Sequence, residues 1–464
     1  MKSALALLLA LVVAFGGLLG WTNAQLQQQG TDVTVSATTL AGDPAAVADV
    51  QVTSYVEYQN HLFWRQSFPA DSPEQGETLC TFSQAAHFAE DNFSWGNYFN
   101  IELSRHSISS HSSIEKQLSP SLLALLKQIQ SNRPNVAVSQ QRVDLSDYTD
   151  HYPLEVSGSF TQFIHDPLTS KQLIQLVEDY FFFPLSKSTY AIISLETDEK
   201  SGQLCGYDFD LEYDLSLSTQ TVMRDYITYF ALIPGGDQVD LLDTSHIPGG
   251  WGIYALTGTS GESAAISTLY SIPDGGQVVR LFGGPEGDDC LYLLTLEENT
   301  LFFTQLDPKN GQVVVHLPLF PWTEDQEILS TLWHGDYLVV FTGKGPFAVL
   351  VPDGQGGWKV DLTGDLHNQY TPTYYPSADE LTGYARYSTT SSLYDHDSHR
   401  LIFADSYYAG DEKNTSFFLS VYDRDGLAYL GTYQFSLPAD VYKLYGVYTN
   451  NSPSHVLSWS ETAS

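Results

Sequence analysis

The sequence predicts an all-β fold of the β-propeller type, with six to eight antiparallel blades and seven as the best count. Three observations lead to this fold class. Short apolar runs are joined by tight turns, some runs are apolar on both faces, and the turns recur at similar intervals. Turn glycines stand at positions 202, 236, 276, 311, 356 and 426, so successive turns are 34 to 45 residues apart except for a last interval of 70.

The stretch from residue 288 to residue 320 shows the pattern most clearly. Its three apolar runs are Cys290–Leu296, Leu301–Leu306 and Gln312–Leu317. The second turn contains Asn310-Gly311, where glycine supplies the positive φ that closes a hairpin. The first run is apolar at almost every position, whereas a half-exposed strand alternates apolar with polar residues. Both faces of this meander must therefore be covered, as they are in a propeller blade.

Residues 1–24 are predicted to be a signal peptide or an uncleaved N-terminal membrane anchor. No charged residue occurs from Ala4 to Trp21, and Gly16-Gly17 is expected to break this apolar run. Thr22-Asn23-Ala24 offers a small-x-small cleavage site, which favours cleavage, while the length of the run also permits a membrane span. In both cases the chain is expected outside the cytoplasm, secreted or anchored to the cell membrane.

The charge of the chain limits its partners. With 55 acidic and 20 basic residues, the formal net charge is −35. Such a surface repels phosphate backbones and anionic headgroups, which excludes nucleic acid and restricts membrane contact to the N-terminal segment. Divalent cations and basic partners are electrostatically allowed.

Cys80, Cys205 and Cys290 lack metal-ligand spacing, so we expect no zinc site, one disulfide at most, and burial of the thiols as small apolar groups.

Residues 25–45 are predicted to lead into a single domain that spans 46–464. Val33–Ser36 is a possible first strand. Closing the ring of a propeller requires a strand from one terminus to complete a blade begun by the other, because an open edge would expose unpaired backbone groups. The C-terminal candidates for this strand are Tyr442–Thr449 and His455–Trp459.

A second meander is predicted near the N-terminus. Val50–Tyr58 and His61–Phe68 are period-two strands, and Glu77–Ser83 follows them after a turn. Tyr98–Leu103 could complete the sheet. Ser104–Ser113 is polar and rich in serine and histidine, and is expected to be a loop.

Two helices are predicted as a small insertion around residues 115–182. Ser119 caps the first helix, Pro120 occupies its first position, and the helix ends at Ser131. The second helix covers Leu168–Tyr180. The residues that form the apolar face of the first helix are Leu122, Leu125, Leu126 and Ile129.

The order of these features resembles a group of exported proteins of Gram-positive gut bacteria. The resemblance is carried by Gly42-Asp43 ahead of the hairpin with Tyr58 and Leu62-Phe63-Trp64, then by Val143–Leu154, and then by the propeller-like hairpins. It covers most of the chain and implies an extracytoplasmic location and a propeller-like fold. No activity is established for that group, so the resemblance implies no catalytic residue.

Three strings concentrate potential metal ligands. Asp147–Tyr152 and Asp395–His399 could bind a divalent cation such as calcium, but neither contains the glycine turn of calcium loops. A solvated loop and a plain β-turn are the favoured interpretations. Asp423–Gly426 is expected to be a hairpin turn. The sequence contains no nucleophile elbow, phosphate loop or zinc-protease motif, so no catalytic residue, metal ligand or cofactor is assigned.

Aromatic residues in or beside turns could form stacking platforms for sugar rings on a propeller face. Filling of the gaps between blades is the favoured interpretation, because large rings suit those wedge-shaped spaces. The residues concerned are Tyr370, Tyr374, Tyr375, Trp251, Trp322 and Trp333.

Together these observations favour an extracytoplasmic, non-enzymatic binding or scaffold module that presents a propeller face to a protein, peptide or glycan. Two alternatives stay open: a secreted propeller hydrolase acting on extracellular polysaccharide, and a membrane-anchored envelope sensor or assembly factor. Converging carboxylates would favour the hydrolase. An aromatic or apolar face would favour the binding module.

Overall fold

The computed structural model describes residues 2–30, 34–58, 62–82, 98–103, 105–110, 113–115, 118–131, 138–159, 170–185, 189–198, 200–224, 226–258, 264–273, 276–285, 287–323, 328–342, 345–365, 388–406, 416–436 and 454–460. The chain divides into two units: unit 1 consists of residues 1–91 and 324–464, and unit 2 of residues 92–323. The prediction of one domain over residues 46–464 stays a prediction.

Strands dominate both units. The helices are α1 (Lys2–Gly30), α2 (Pro120–Ser131) and α3 (Ser170–Tyr180). The first strands are β1 (Thr34–Gly42), β2 (Val50–Tyr58), β3 (Leu62–Pro69), β4 (Glu77–Phe82), β5 (Tyr98–Glu102), β6 (Arg105–Ser109), β7 (Val138–Asp144), β8 (Glu155–Ser159), β9 (Tyr190–Thr197), β10 (Leu204–Leu211), β11 (Ser216–Arg224), β12 (Ile227–Gly235) and β13 (Gly252–Thr257). The remaining strands are β14 (Ala265–Ser271), β15 (Gln277–Gly283), β16 (Leu291–Glu297), β17 (Thr300–Leu306), β18 (Val313–Pro321), β19 (Ile328–His334), β20 (Tyr337–Thr342), β21 (Pro346–Pro352), β22 (Trp358–Asp365), β23 (Ser388–Asp395), β24 (Arg400–Ser406), β25 (Ser416–Asp423), β26 (Gly426–Ser436) and β27 (Ser454–Trp459).

Four-stranded antiparallel sheets make up unit 2, in the orders β6-β10-β9-β7, β11-β12-β13-β14 and β15-β16-β17-β18, with a two-stranded sheet β5-β8. The third sheet contains the predicted meander, to which β15 adds a fourth strand. Glu298 and Asn299 close its first hairpin with φ of 47° and 61°, and Gly311 closes the second with φ of 69°. The inner strand β16 is buried on both faces, as its apolar sequence predicted. The predicted all-β fold of propeller-blade sheets is confirmed.

Unit 1 contains the sheets β1-β26-β25-β24-β23, β19-β20-β21-β22 and β27-β2-β3-β4. The C-terminal strand β27 pairs antiparallel with β2, with Trp459 opposite Val50, so His455–Trp459 completes a sheet begun near the N-terminus. Tyr442–Thr449, the other candidate, lies outside the described residues. The prediction that Tyr98–Leu103 completes the β2-β3-β4 sheet is wrong, because β5 pairs with β8 instead.

Six sheets of four or five strands occur within the described ranges. This number lies in the predicted range of six to eight blades and is one below seven, the best predicted count. Within the described residues, the last turn interval of 70 residues holds β22, which belongs to the β19 sheet, and then β23, β24 and β25 of the five-stranded sheet.

The prediction of a loop at Ser104–Ser113 is wrong, because β6 forms an edge strand that pairs with β10. His106 is buried and Ile108 is half-buried, whereas Arg105 is exposed. The sequence of β6 has the alternation that is typical of a strand, but its serine and histidine residues make the segment polar overall. Strand propensity is a weak guide where pairing with a neighbouring strand supplies the stabilisation.

The two predicted helices are confirmed. Ser119 Oγ accepts the backbone N–H of Leu122 at 3.0 Å, which is the predicted N-cap of α2. The described part of the second helix begins at Ser170. The range around 115–182 is not purely helical, since it also holds β7 and β8, and β7 pairs with β9. All four predicted apolar positions of α2 are buried in the core of unit 2: Leu122, Leu125, Leu126 and Ile129.

The N-terminal segment forms the single helix α1, which continues through Gly16-Gly17, so the two glycines that interrupt the apolar run do not interrupt the helix. Two adjacent glycines weaken a helix, but each costs only about 1 kcal/mol relative to alanine and does not prevent helical backbone angles. Within the described ranges, no helix combines the length and the apolarity that crossing a membrane requires.

Two glycines with the same backbone angle allow a matched test of the turn geometry. Gly202 and Gly311 both have φ of 69°, but a Cβ at Gly311 would lie 2.0 Å from the Leu269 carbonyl oxygen, whereas one at Gly202 would meet nothing within 4 Å. We expect Gly202→Ala to cost about 1–2 kcal/mol for the left-handed backbone alone. Gly311→Ala should cost about 1–3 kcal/mol more, because backbone atoms must also shift. Urea denaturation of both variants checks this, and equal costs would contradict it.

Candidate functional site

A cavity of about 240 Å³ lies in unit 2, walled by residues of α2, α3, β8 and β10. Seven of its twelve lining residues are aliphatic, but polar groups make up more than half of the wall surface that faces the space. An apolar cavity of about 150 Å³ is already large enough to bind benzene, so this one can take a small organic ligand. The lining residues are Ile108, Leu118, Ser119, Leu122, Leu154, Glu155, Val156, Ser157, Gly158, Leu173, Ile174 and Tyr207, and no lysine or arginine is among these described residues. We call this space the Glu155 cavity.

The position of Glu155 follows from strand pairing. Glu155 is the first residue of β8, and the antiparallel register places it directly opposite Glu102 of β5. Opposed residues of an antiparallel pair have Cβ atoms about 4.5–5.5 Å apart, so the two carboxyl groups interact unfavourably when both are ionised. The side-chain amide of Asn100 donates a hydrogen bond to Glu102 Oε1. Glu102 thus has a hydrogen-bond partner on its own strand, two residues away.

The surroundings of Glu155 perturb its titration strongly. Burial and, secondarily, the charge of Glu102 raise the pKa of Glu155 to about 7. The Glu155 side chain is 22 % exposed, so it is accessible from solvent although largely desolvated. Near neutral pH this carboxyl can therefore donate a hydrogen bond as an acid or pair with a cation as a carboxylate.

His106 and Tyr207 complete the polar cluster beside the cavity. The His106 ring stacks on Phe209 with centroids 4.6 Å apart, and its Nδ1 lies 2.9 Å from Tyr207 Oη. Burial lowers the pKa of His106 to about 3 and raises the pKa of Tyr207, so both are neutral at physiological pH. The distance of 3.6 Å between His106 Nδ1 and Glu155 Oε2 is therefore no ion pair. His106 Nε2 is buried and has no hydrogen-bond partner among the described residues.

The first predicted metal string, Asp147–Tyr152, borders a different, open cleft of about 690 Å³ in unit 2. His151 Nδ1 lies 2.8 Å from Asp150 Oδ1, and the Asp150 side chain is 86 % exposed. Tyr152 is buried in the core that also contains the apolar faces of α2 and α3. The string therefore forms a surface pair next to packed tyrosines, as the loop interpretation predicts.

The second string, Asp395–His399, forms the turn between β23 and β24 in unit 1. His399 Nδ1 is 2.9 Å from Asp361 Oδ2, and Arg424 Nη2 is 2.8 Å from His399 Nε2. Because a guanidinium only donates, Nε2 must accept and Nδ1–H must donate to Asp361. Tyr394 Oη also donates to Asp361, at 2.7 Å. This network joins two turns that were predicted separately, since Arg424 belongs to the Asp423–Gly426 hairpin.

An open cleft of about 370 Å³ lies beside this network. His396 and Asp336 border it and contact each other, with Nε2 2.8 Å from Oδ2. Asp395 Oδ1 accepts the backbone N–H of Asp397, which is ordinary turn geometry. Throughout the described ranges, no group of three or more histidine, cysteine, aspartate or glutamate side chains has an arrangement that could hold a metal ion.

The aromatic and cysteine predictions have mixed outcomes. Trp251 packs against the core of unit 2, and Trp333 meets Trp358 edge to face with centroids 5.4 Å apart, both as the packing interpretation predicts. The predicted burial of the cysteines is wrong for Cys205 and Cys290, which are free thiols and only half-buried. Three of the six aromatic candidates lie outside the described residues: Tyr370, Tyr374 and Tyr375.

The cavity residues were missed by sequence reasoning. Glu102, Glu155 and Tyr207 are about fifty residues apart along the chain and form no motif. Only strand pairing between β5 and β8, and the packing of two helices over them, brings these side chains together. A weak signal existed in Glu155, which begins an otherwise uncharged strand segment.

Fold and cavity together define a class: an all-β protein of propeller-blade sheets with a ligand-sized cavity. No protein-family profile and no curated protein matches the chain. Among solved structures the chain is similar to a periplasmic gluconolactonase of Pseudomonas aeruginosa, with 13% sequence identity and a TM-score of 0.24. The similarity covers 53% of this chain and 64% of the gluconolactonase, which is less than two thirds of the length of that protein. A GH43 β-1,3-galactosidase gives 12% identity, a TM-score of 0.24 and coverage of 53% and 92%. A functionally unknown protein of Desulfotomaculum acetoxidans gives 9% identity, a TM-score of 0.24 and coverage of 81% and 94%.

Proposed function

We propose that this protein is an extracytoplasmic, non-enzymatic binding module that holds a small organic ligand in the Glu155 cavity. One observation carries the proposal: a cavity of about 240 Å³ in which seven aliphatic residues line the wall together with Glu155, the one charged side chain among its described lining residues. Ligand sites are typically apolar spaces with a small number of placed polar groups and a perturbed pKa. Export is supported by the uncharged run from Ala4 to Trp21. A protein, peptide or glycan partner, as expected from the sequence, stays a further proposal.

A second candidate function, hydrolysis, is favoured by the facing pair Glu102 and Glu155. A glycosidase uses a pair of carboxyl groups, one of which acts as a general acid with a raised pKa. The arrangement fits this chemistry less well, because Glu102 is not among the described residues that line the cavity. We therefore rank binding first. This candidate also corresponds to the hydrolase alternative drawn from the sequence.

Filling the cavity should abolish binding. We expect benzyl alcohol and aliphatic alcohols of four to eight carbons to raise the melting temperature, because a ligand at 100 times its Kd stabilises the folded state by about 2.7 kcal/mol. Ile174→Phe places a larger side chain in the wall and should remove the shift. Ile192→Phe, at a position 36 % exposed on β9, is the matched control and should retain it.

Two results would contradict the proposal. The first is the absence of any shift in the wild-type chain across the whole alcohol series. The second is release of nitrophenol from nitrophenyl glycosides that is lost in both Glu102→Gln and Glu155→Gln, which would support the hydrolase instead.

A further inference from the structure

We propose that the ligand of the Glu155 cavity is a small organic cation: an amine whose apolar body is about the size of a benzene ring. This inference rests on the proposed function and narrows it to one chemical class. Its basis is a wall with seven aliphatic residues, one carboxyl group and no basic group among the described lining residues.

The charges around Glu155 are one-sided. The titratable side chains that face it are Glu102 from β5, His106 from β6 and Tyr207 from β10. Of these, His106 is neutral because it is buried, so it does not act as an internal counter-ion. The two helices present Leu122, Leu173 and Ile174 to the cavity, none of which is charged. An ionised Glu155 therefore lacks a cationic partner among the described residues that line the cavity.

A bound cation would supply that partner. Moving an ammonium group out of water is costly unless it meets a carboxylate and hydrogen-bond acceptors. Glu155 provides the carboxylate, and the charge of Glu102 opposite adds to the attraction. An anionic ligand would instead meet the Glu155 carboxyl, with the charge of Glu102 on the facing strand behind it. The net charge of −35 over the whole chain also raises the local concentration of cations relative to anions.

The aliphatic side chains of the wall select the rest of the ligand. Leu118, Leu154 and Val156 are each less than 9 % exposed and line the cavity together with the helix residues. A fully hydrated metal ion or a small inorganic cation would leave these surfaces unmatched. A ring or a short alkyl chain buries them at about 25 cal/mol for each Å² of apolar area removed from water.

Cation binding should be linked to proton release. Since the pKa of Glu155 is about 7, most of the empty sites are protonated below neutral pH, and only the ionised fraction pairs with an amine. Between pH 5.5 and pH 7.5 the affinity for a cation should therefore rise about twentyfold. A neutral ligand that accepts a hydrogen bond from the protonated carboxyl should show no rise, and should bind more weakly above pH 7.

Benzylamine and benzyl alcohol form a suitable probe pair, because they have the same ring and differ mainly in charge. Calorimetric titration of the full chain with each probe, at several pH values from 5.5 to 7.5, gives the affinities and the protons released. We expect benzylamine to bind with the twentyfold pH dependence and benzyl alcohol without it. Glu155→Gln should make the benzylamine affinity weak and independent of pH, while benzyl alcohol still binds.

Two further variants locate the effect. Glu102→Gln removes the facing charge, so the pKa of Glu155 should fall and the midpoint of the benzylamine profile should move to lower pH. Glu298→Gln, at an exposed turn position far along the chain, should leave both affinities unchanged. Equal or better binding of benzyl alcohol at every pH would overturn the cation inference and leave the proposed function standing. Binding of neither probe would overturn both.

Discussion

Acidification from pH 6.5 to pH 4 should lower the free energy of unfolding by about 3 kcal/mol for each of two buried histidines, His106 and His455. Burial lowers the pKa of each to about 3 in the folded state, from an ordinary value of 6.5. Between these two pKa values the unfolded chain binds a proton that the folded chain does not. The stabilisation is therefore complete above pH 6.5 and is lost as the pH falls toward 3.

His455 shows why the effect is large. It lies on β27, where Nδ1 is 2.8 Å from Ser54 Oγ of β2 and the ring stacks on Phe417 with centroids 3.9 Å apart. Its Nε2 has no partner among the described residues. Protonation would place a buried positive charge between aromatic rings at the strand that completes the β2 sheet. The terminal strand is thus an acid-sensitive part of unit 1.

Urea denaturation at intervals of half a pH unit tests this prediction. His455→Gln and His106→Gln should each reduce the slope of unfolding free energy against pH by about 1.4 kcal/mol per unit between pH 6 and pH 4. His246→Gln, whose side chain is 54 % exposed, serves as the control and should leave the slope unchanged. The prediction fails if the two buried-histidine variants keep the slope of the wild-type chain, whatever their stability at neutral pH.

The second large effect has the opposite sign. Glu155→Gln should raise the free energy of unfolding by about 3 kcal/mol at pH 8 and by almost nothing at pH 4.5. The pKa of Glu155 is raised to about 7 in the folded state, from an ordinary value of 4.5. Stability from this group is therefore present below pH 4.5 and lost as the pH rises through 7, because the folded chain must ionise a desolvated carboxyl. Glutamine has a similar shape and carries no such charge.

Denaturation of Glu155→Gln at pH 4.5 and pH 8, beside Glu298→Gln, measures this difference. The control should change the stability by less than about 0.5 kcal/mol at either pH, as is usual for an exposed position. A Glu155→Gln variant that is no more stable than the wild-type chain at pH 8 would show that the carboxyl is not desolvated. A confirmed gain would place stability and ligand binding in conflict at one residue, a common property of functional sites.

Local sequence patterns were sufficient for many individual elements. The cap formed by Ser119 and the proline after it defined the start of α2, and Asn310-Gly311 defined a hairpin. In each case the chemical signal lies within a few residues of the structure that it specifies. The same holds for β16, where apolar residues on both faces required a cover on both sides.

Pairing between distant strands was less predictable. The sequence offered β5 as a partner of β4, yet β5 pairs with β8, more than fifty residues later. Short strands of similar composition cannot be told apart by their local sequence patterns. Which strands pair is decided by the register that buries the apolar face of each strand. The polar edge strand β6 was missed for the same reason, since its stabilisation comes from β10.

By itself the sequence determined the all-β class, the helices and most turns, because hydrophobic periodicity, caps and turn residues act over short distances. The tertiary structure alone decided the candidate site. Glu102 and Glu155 become neighbours through the register of two strands, and helices α2 and α3 then desolvate one of the two carboxyl groups. Desolvation and charge interaction depend on distances in space, so no pattern along the chain specifies them.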